Sequence, residues 1–374
     1  MMRVTLVQGP PQNVQTFDNE LTNRLDSDDV EVVREIFNTP LTGSYNWDYE
    51  AANGKIRRLY ELGKKFNWNS ELDVAWDTPF PKDQSPNSDK LPNAFAGHPK
   101  YEALTPEQKT EFAWRSLAQT LSQFMHGEQG ALLVASQLVS CAPTYDAKLY
   151  AASQTFDEAR HVEVFHRYLK ERCKVIYPIN PSLKALLDKV LTDARWDLKF
   201  IGMQVLIEGL ALAAFQSMHA TTSDPLLKQV VELVMRDEGR HVAFGVNYLE
   251  DWIRAMPQEE IEERAQFAYE ACAIMRERLF STDVAEEFGF DAEEARRLTI
   301  DSEGGRAFRN FLFERMIPNL KRVGLLTEKV RPKFEALGVL QYENLSHDGQ
   351  IDWAQLERPL PIGDDWNPVR TAAE

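Results

Sequence analysis

Two short segments of the chain repeat one pattern of carboxylate, guanidinium and imidazole side chains. The first runs Asp-Glu-Ala-Arg-His over positions 157–161, and the second runs Asp-Glu-Gly-Arg-His over positions 237–241. In each copy an isolated glutamate inside an apolar stretch precedes the glutamate of the segment, and the interval between the two is the same in both copies. Carboxylate oxygens and imidazole nitrogens are ligands that iron and manganese accept in proteins. The six candidate metal ligands are Glu128, Glu158, His161, Glu208, Glu238 and His241.

The spacing of these residues allows all six side chains to meet between helices. A glutamate and a histidine three positions apart lie on one face of a helix, so both can reach one ion. Glu128 lies about 12 residues before the expected end of its helix and Glu158 about 13 residues after the start of the next, which gives them one depth in an antiparallel hairpin. The second copy has the same spacing. Because four buried carboxylates repel one another and lose their hydration, the sequence predicts two divalent cations that balance them.

A Glu-x-x-His pair alone is weak evidence, because a chain this rich in glutamate contains such pairs by chance. A third pair, Glu163 and His166, lies about 140° around the helix from the first and is predicted to be solvated surface. Chance does not produce two copies of the whole pattern with a matching glutamate on an apolar stripe in each copy. The repeat therefore carries the metal-site prediction.

The remaining charged residues of the two segments point away from the ligand face, and ordinary surface charge is one explanation for them. Their presence in both copies favours a supporting role around the metals. In that role each aspartate accepts the free N–H of the ligand histidine from the opposite hairpin, and the arginines brace the aspartates. The four residues are Asp157, Arg160, Asp237 and Arg240.

The elements that must position these side chains are helices, since alternating strand-like patterns are scarce and the class is all-α. Thr105-Pro-Glu-Gln108 is typical of a helix start. The predicted helices cover 47–68, 105–140, 145–172, 181–219, 225–256, 257–279 and 291–337, the last one interrupted at Gly304-Gly305 and Pro318. The predicted organisation is an N-terminal extension with one helix (1–104), a four-helix bundle (105–256), additional C-terminal helices (257–339) and an irregular tail (340–374).

Composition excludes several classes of function. The formal charge of −16 argues against a nucleic-acid partner, which would need clustered lysine and arginine. No uninterrupted apolar run approaches the roughly 20 residues that span a bilayer, and no signal peptide is evident, so no membrane span is expected. Three cysteines without a CxxC pattern predict reduced thiols in a cytoplasmic protein.

Four helices with the ligand order Glu, Glu-x-x-His, Glu, Glu-x-x-His resemble the ferritin-like di-iron carboxylate bundles, over residues 105–256. The Asp-Glu-x-Arg-His segments are similar to those of bacterial multicomponent monooxygenase hydroxylases. Residues 207–215 and 237–245 also resemble the ribonucleotide reductase small subunit and its ligand-binding oxidase relatives. The resemblance implies a centre of two iron ions, or of manganese and iron, that activates O2. It also implies an external electron donor, a reductase or ferredoxin.

Several positions depart from these groups. The reductase small subunit has its radical tyrosine where this chain has Phe165, and the related oxidases cross-link a valine to a tyrosine where it has Gly130 and Met203. The monooxygenase hydroxylases carry a threonine at Leu212, and the N-oxygenases of aminoarenes carry an extra ligand histidine at Val234. Three cysteines cannot form the four-cysteine iron site of rubrerythrins. These departures predict a separate branch of oxygen-activating enzymes.

The expected reaction is oxidation of an apolar or aromatic small organic substrate through a peroxo or high-valent di-iron intermediate. Two glutamines on the inward faces, Gln154 and Gln204, could bond a substrate or a ligand carboxylate, or serve packing alone. The alternative function is ferritin-like metal handling or ligand binding without substrate turnover, and a homodimer is compatible with the sequence. The predicted pocket consists of Met125, Gln154, Phe165, Gln204, Leu212, Phe215 and Val234.

Overall fold

Helices account for most of the described chain, as predicted for an all-α protein. The computed structural model describes residues 15–16, 35–50, 53–88, 93–278 and 281–350. The α-helices of these residues are α1 (Gly54–Lys65), α2 (Pro99–Glu102), α3 (Pro106–Cys141), α4 (Tyr145–Tyr168), α5 (Pro181–Thr192), α6 (Trp196–Phe200), α7 (Glu208–Thr221), α8 (Pro225–Arg254), α9 (Gln258–Arg278), α10 (Asp283–Glu287), α11 (Ala292–Asp301), α12 (Glu303–Val323) and α13 (Arg331–Ala336). The remaining elements are the π-helical segments Leu169–Cys173 and Ile201–Ile207, the 3-10 turns Leu340–Tyr342 and Asp348–Gln350, and the short antiparallel strands β1 (Gln15–Thr16) and β2 (Val175–Ile176).

The first hairpin, α3 and α4, follows its predicted helices closely. At the start of α3 the Thr105 hydroxyl accepts a hydrogen bond from the Gln108 backbone N–H (3.3 Å), and the Gln108 side chain accepts one from the Thr105 N–H (2.9 Å). This reciprocal cap satisfies two backbone donors that the helix itself leaves unpaired. The helix ends at Cys141, and α4 begins directly after its cap residue, Thr144. Local sequence signals therefore set both ends of this connection.

The second hairpin corrects one prediction, because residues 181–219 do not form a single helix. The chain leaves the helix between α5 and α6, where the Asp193 carboxylate accepts a hydrogen bond from the Arg195 backbone N–H (2.8 Å) and pairs with its guanidinium (2.8 Å). Such local side-chain bonds compete with helical backbone bonds. The buried Lys199 ammonium then donates to two carbonyls at the end of α5, at 2.9 and 3.1 Å. These interactions stabilise the break.

Helix α6, the π-helical segment and α7 form one continuous rod, Trp196–Thr221, at the centre of the fold. By length and composition this rod could cross a membrane, although no membrane span was predicted from the sequence. Its most apolar stretch is entirely buried inside the protein. The π-helical segment ends immediately before Glu208. Gly245 of α8 packs so closely on the segment that a Cβ atom there would lie 2.6 Å from the Cβ of Gln204. The rod is therefore a core helix held tightly against α8.

The two hairpins place their glutamates at one depth, as the spacing predicts. Glu128 lies as far before the end of α3 as Glu158 lies after the start of α4. Glu208 and Glu238 have the same two offsets, from the end of α7 and from the start of α8. The antiparallel packing of each hairpin thus brings all four carboxylates to the middle of the bundle.

Outer helices enclose this bundle. Helix α1 packs on α4 and α8, and α12 packs on α7 and α8. The predicted interruptions at Gly304-Gly305 and Pro318 are wrong, because both lie inside α12. The break lies instead at Ser302, whose hydroxyl caps α12 by accepting a hydrogen bond from the Gly305 N–H (2.9 Å). Of the predicted irregular tail, residues 351–374 lie outside the described residues.

The contact between α8 and the π-helical segment can be tested by Gly245→Ala. The added methyl group would overlap the backbone and side chain of Gln204, so we expect a loss of about 1–3 kcal/mol in the free energy of unfolding. Denaturant titration followed by circular dichroism measures this loss. In the control Gly54→Ala the new Cβ meets nothing within 4 Å, so its stability should be unchanged or slightly higher, because alanine favours a helix over glycine. Equal stability of the two variants would contradict the close packing.

Candidate metal centre

The structure brings all six predicted ligands together at the middle of the two hairpins. They form two groups of four, and within each group the ligand atoms lie within 4.8 Å of one another. All six side chains are buried. The first group consists of Glu128, Glu158, His161 and Glu238, and the second of Glu158, Glu208, Glu238 and His241. Since Glu158 and Glu238 belong to both groups, the two groups share a pair of carboxylates.

The unsatisfied polar atoms of these groups fit a pair of metal ions. Both Glu238 carboxylate oxygens and Nδ1 of His241 are buried without a hydrogen-bond partner. Nδ1 of His161 lies 3.0 Å from a Glu238 oxygen, and Nδ1 of His241 lies 3.1 Å from a Glu158 oxygen. Buried polar atoms without partners are rare and costly, and here their lone pairs converge. The site is a buried di-metal carboxylate site of mixed oxygen and nitrogen donors.

Electrostatics also show that the site needs compensating positive charge. Burial, together with the charge of neighbouring glutamates, raises the pKa of Glu128 and Glu208 well above the usual range. Burial opposes protonation of His161, but hydrogen bonds to Asp237 and to glutamates outweigh it and hold the pKa of this imidazole well above its ordinary value. The carboxylates therefore favour any bound positive charge, and divalent cations compete with protons for this position.

Each ligand histidine is tied to an aspartate of the other hairpin. Nε2 of His161 lies 3.1 Å from Asp237 Oδ2, and Nε2 of His241 lies 3.2 Å from Asp157 Oδ2. These are the two cross-hairpin contacts that the repeated Asp-Glu-x-Arg-His pattern predicts. Because Nε2 faces an aspartate, Nδ1 of each ring is directed towards the glutamates.

The two arginines complete a buried network with these aspartates. Nη2 of Arg160 donates to Asp157 (2.5 Å) and to Asp237 (3.1 Å), and Arg240 donates to the same two carboxylates. All four side chains are at most 4% exposed. Although burial alone would raise the pKa of Asp237, Arg240 and His161 hold it well below its ordinary value. Two negative and two positive charges thus balance one another beside the metal site.

One residue of this network was not predicted from the sequence. The indole N–H of Trp68 donates to Asp237 Oδ2 (2.8 Å), although the two residues are far apart in the sequence. The Trp68 ring also stacks near His161, with centroids 6.4 Å apart and planes at 14°, and the Arg160 guanidinium lies 4.8 Å from its centre. Trp68 follows α1 and belongs to no motif, so only the packing of α1 on the bundle reveals its role.

Gln154 contacts ligand carboxylates directly. Its Nε2 donates to Glu158 (3.0 Å) and to Glu208 (3.1 Å), which belong to different hairpins. Gln204 donates weakly to the Gln154 carbonyl (3.4 Å), and its own carbonyl oxygen is buried without a partner. The sequence left three possible roles for these glutamines: bonding a substrate, bonding a ligand carboxylate, or packing alone. The structure shows that Gln154 bonds ligand carboxylates.

The cavity beside the site differs from the predicted pocket. It has a volume of about 20 Å³ and lies between α3 and the central rod. Phe165 and Phe215 instead stack on each other (5.5 Å between centroids), while Leu212 and Val234 are buried in the core and Met125 packs against it half-exposed. The cavity is lined by Gln123, Phe124, Gly127, Glu128, Ala131, Ile207, Glu208 and Ala211. The predicted pocket was chosen from mostly apolar side chains, whereas the walls of this cavity include small and polar residues. The sequence therefore did not predict the cavity.

The third Glu-x-x-His pair lies on the surface, as predicted. Glu163 and His166 are both exposed on α4, and neither belongs to a group that could hold a metal ion among the described residues. Glu163 accepts a hydrogen bond from the Ser70 hydroxyl (2.5 Å). A motif match alone therefore does not identify the site.

The cross-hairpin bonds predict that Asp237→Asn weakens metal binding by about 10–100-fold, because the amide cannot supply the charge that orients His161 and balances both arginines. Competition with a chelator of known affinity measures this change. The control is Asp251→Asn, the same substitution at an exposed position of α8. Equal metal affinity in both variants would remove the supporting role of Asp237.

Solved structures of R2-like ligand-binding oxidases have a similar fold. A variant with an anaerobically reconstituted Mn/Fe cofactor is 19% identical to this chain, covers 75% of it and 95% of its own length, and has a TM-score of 0.50. A second variant, with an aerobically reconstituted Mn/Fe cofactor, is 18% identical with the same coverage and a TM-score of 0.49. The first of these two likenesses shows the fold alone, which is ferritin-like. No curated protein matches the chain.

A family model gives the more specific assignment. The model of the p-aminobenzoate N-oxygenase AurF family matches residues 50–324, which is more than half of the chain and includes all six candidate ligands. The match also spans Val234, so the absence of a histidine there does not place the chain in a branch outside this family. With its buried di-metal site and ferritin-like bundle, the chain belongs to the p-aminobenzoate N-oxygenase AurF family of di-metal oxygenases.

Proposed function

We propose that this protein uses O2 and two iron ions to oxidise the amino group of a small aromatic amine. The observation that carries the proposal is the convergence of four carboxylates and two imidazoles in a chain whose family is named for an N-oxygenase. This donor set suits iron, with manganese in one position as the alternative. When bound, the metal ions supply the electrons that reduce O2 and the oxidising power that reaches the substrate.

The position of each side chain suggests its role. Glu158 and Glu238 would contribute to the binding of both metal ions, because they belong to both donor groups. The other ligands are Glu128 and His161 for one ion and Glu208 and His241 for the second. Each histidine would bind through Nδ1, since its Nε2 hydrogen-bonds an aspartate that keeps the ring in one orientation. Gln154 orients Glu158 and Glu208 by donating to both.

Two features of the surroundings favour oxidation of an organic amine. Phe124 lines the cavity beside Glu128 and Glu208, and its ring packs on Phe165 and Phe215, so this wall of the cavity is apolar. No lysine or arginine is among the described residues that line the adjacent cavity, whereas the carboxylates of Glu128 and Glu208 do line it. An uncharged amino group can approach these carboxylates, while an anionic group of the substrate would be repelled and point outward.

The balanced reaction needs an external reductant. An aromatic amine, O2, two electrons and two protons give the hydroxylamine and water. The electrons come from a separate donor protein of the reductase or ferredoxin class, as in the sequence-based expectation. Val234 supplies no ligand atom, so the proposed centre has six protein ligands, without the extra histidine described for N-oxygenases of aminoarenes.

The test is turnover of aniline and p-aminobenzoate by the iron-loaded protein with a chemical reductant and ¹⁸O2. We expect one ¹⁸O atom in a hydroxylamine product, detected by mass spectrometry. Glu158→Ala should abolish the product, because it removes a ligand of both ions. Glu163→Ala, on the exposed face of the same helix, is the matched control and should retain activity. Uptake of far more than two iron ions per chain without any product would favour metal handling and contradict the proposal.

A further inference from the structure

The cavity beside Glu128 and Glu208 has one wall that carries no side chain, at Gly127 of α3. We propose that Gly127 opens the route by which small molecules reach the metal centre, and that the residue at this position sets the size of what enters. The inference rests on the proposed function for its biological meaning. The passage to the two carboxylates can be tested whatever the substrate is.

The dimensions of the cavity match a passage for O2, water or a slender ion, and an aromatic amine does not fit into it in this structure. Its volume of about 20 Å³ admits one molecule of the size of water. Its inner wall includes the carboxylates of Glu128 and Glu208, and Gly127 itself is partly exposed to solvent. One residue of α3 therefore borders solvent while its direct neighbour borders the metal site.

Packing does not explain a glycine at this position. A Cβ atom built on Gly127 meets nothing within 4 Å, so no close contact requires glycine there, and only a larger side chain would reach across the mouth of the cavity. Gly130, nearly one turn later on α3, is different, because a Cβ there would lie 2.4 Å from Leu187 of α5. Glycine weakens a helix relative to alanine, and Gly127 has no positive φ that would require it. The remaining explanation for a glycine at position 127 is that it keeps the cavity open.

The other walls of the cavity are fixed by the core. The Phe124 ring packs 4.6 Å from the Phe215 ring and cannot swing aside without disrupting that contact. Ile207 and Ala211 belong to the buried central rod, and Ala131 is buried in α3. Gln123 also lines the cavity and is partly exposed, but its amide donates to the Pro178 carbonyl (2.9 Å) and accepts from the Asn180 N–H (2.7 Å). The width of the passage therefore depends mainly on position 127.

A competing route would begin in a larger cavity of about 660 Å³ on the N-terminal half of α3, next to α10 and α11. Its α3 wall includes Ser116, Gln119 and Thr120, about 10–17 Å along the helix from Gly127 at about 1.5 Å per residue. A bulky side chain at position 116 would narrow this cavity and leave the one at Gly127 unchanged. The two routes can therefore be separated by substitution.

The experiment measures the rate of azide ligation to the iron-loaded, air-oxidised protein by stopped-flow absorbance. Gly127→Ala, Gly127→Val and Gly127→Leu form a series of increasing size. We expect a progressive decrease that reaches at least tenfold for leucine, with iron content unchanged. Gln129→Leu, which adds the same side chain on the exposed opposite face of α3, should leave the rate unchanged, and so should Ser116→Leu.

Two results would overturn the proposal. Equal azide rates throughout the Gly127 series, with normal iron content and thermal unfolding, would show that the passage is not used. A decrease with Ser116→Leu instead would assign entry to the larger cavity. Because azide ligation needs no organic substrate, absence of arylamine oxidation would count against the proposed function alone and leave the azide result to decide the route.

Discussion

The burial of four carboxylates within a few ångströms of one another is the constraint on which the rest of the structure depends. Such a cluster is unstable unless positive charge compensates it, because the low-dielectric interior strengthens the repulsion among the carboxylates and removes their hydration. The bundle meets this constraint by symmetry. Two hairpins with identical spacing bring Glu128 and Glu158 to the same depth as Glu208 and Glu238, so that two cations can neutralise all four.

A second layer of charge holds the histidines in place. Each aspartate accepts a hydrogen bond from a histidine of the opposite hairpin, and the two arginines bridge the aspartates, so this layer ties the hairpins together across the bundle. Trp68 attaches the N-terminal helix to the same layer through Asp237. Rigid orientation of ligands in this way lowers the cost of assembling a metal site. The segments outside the bundle therefore contribute directly to the centre.

The sequence was sufficient for the parts of the site that depend on helical periodicity. The repeat predicted the six ligands' convergence and the cross-hairpin contacts of Asp157 and Asp237, because side chains three or four positions apart on a helix share a face whatever surrounds them. Trp68 could not be predicted, since its contact depends on how α1 packs. The break at Asp193 was missed because it rests on a local side-chain bond, and the cavity because its walls include the small residues Gly127 and Ala211.

We infer that the bundle holds two metal ions between its four glutamates and two histidines. The most direct measurement is anaerobic titration of metal-free protein with ferrous iron, followed by calorimetry and confirmed by elemental analysis of the washed protein. We expect saturation at two ferrous ions per chain, with comparable affinity for both ions. Saturation at one ion, or the absence of tight binding, would contradict it.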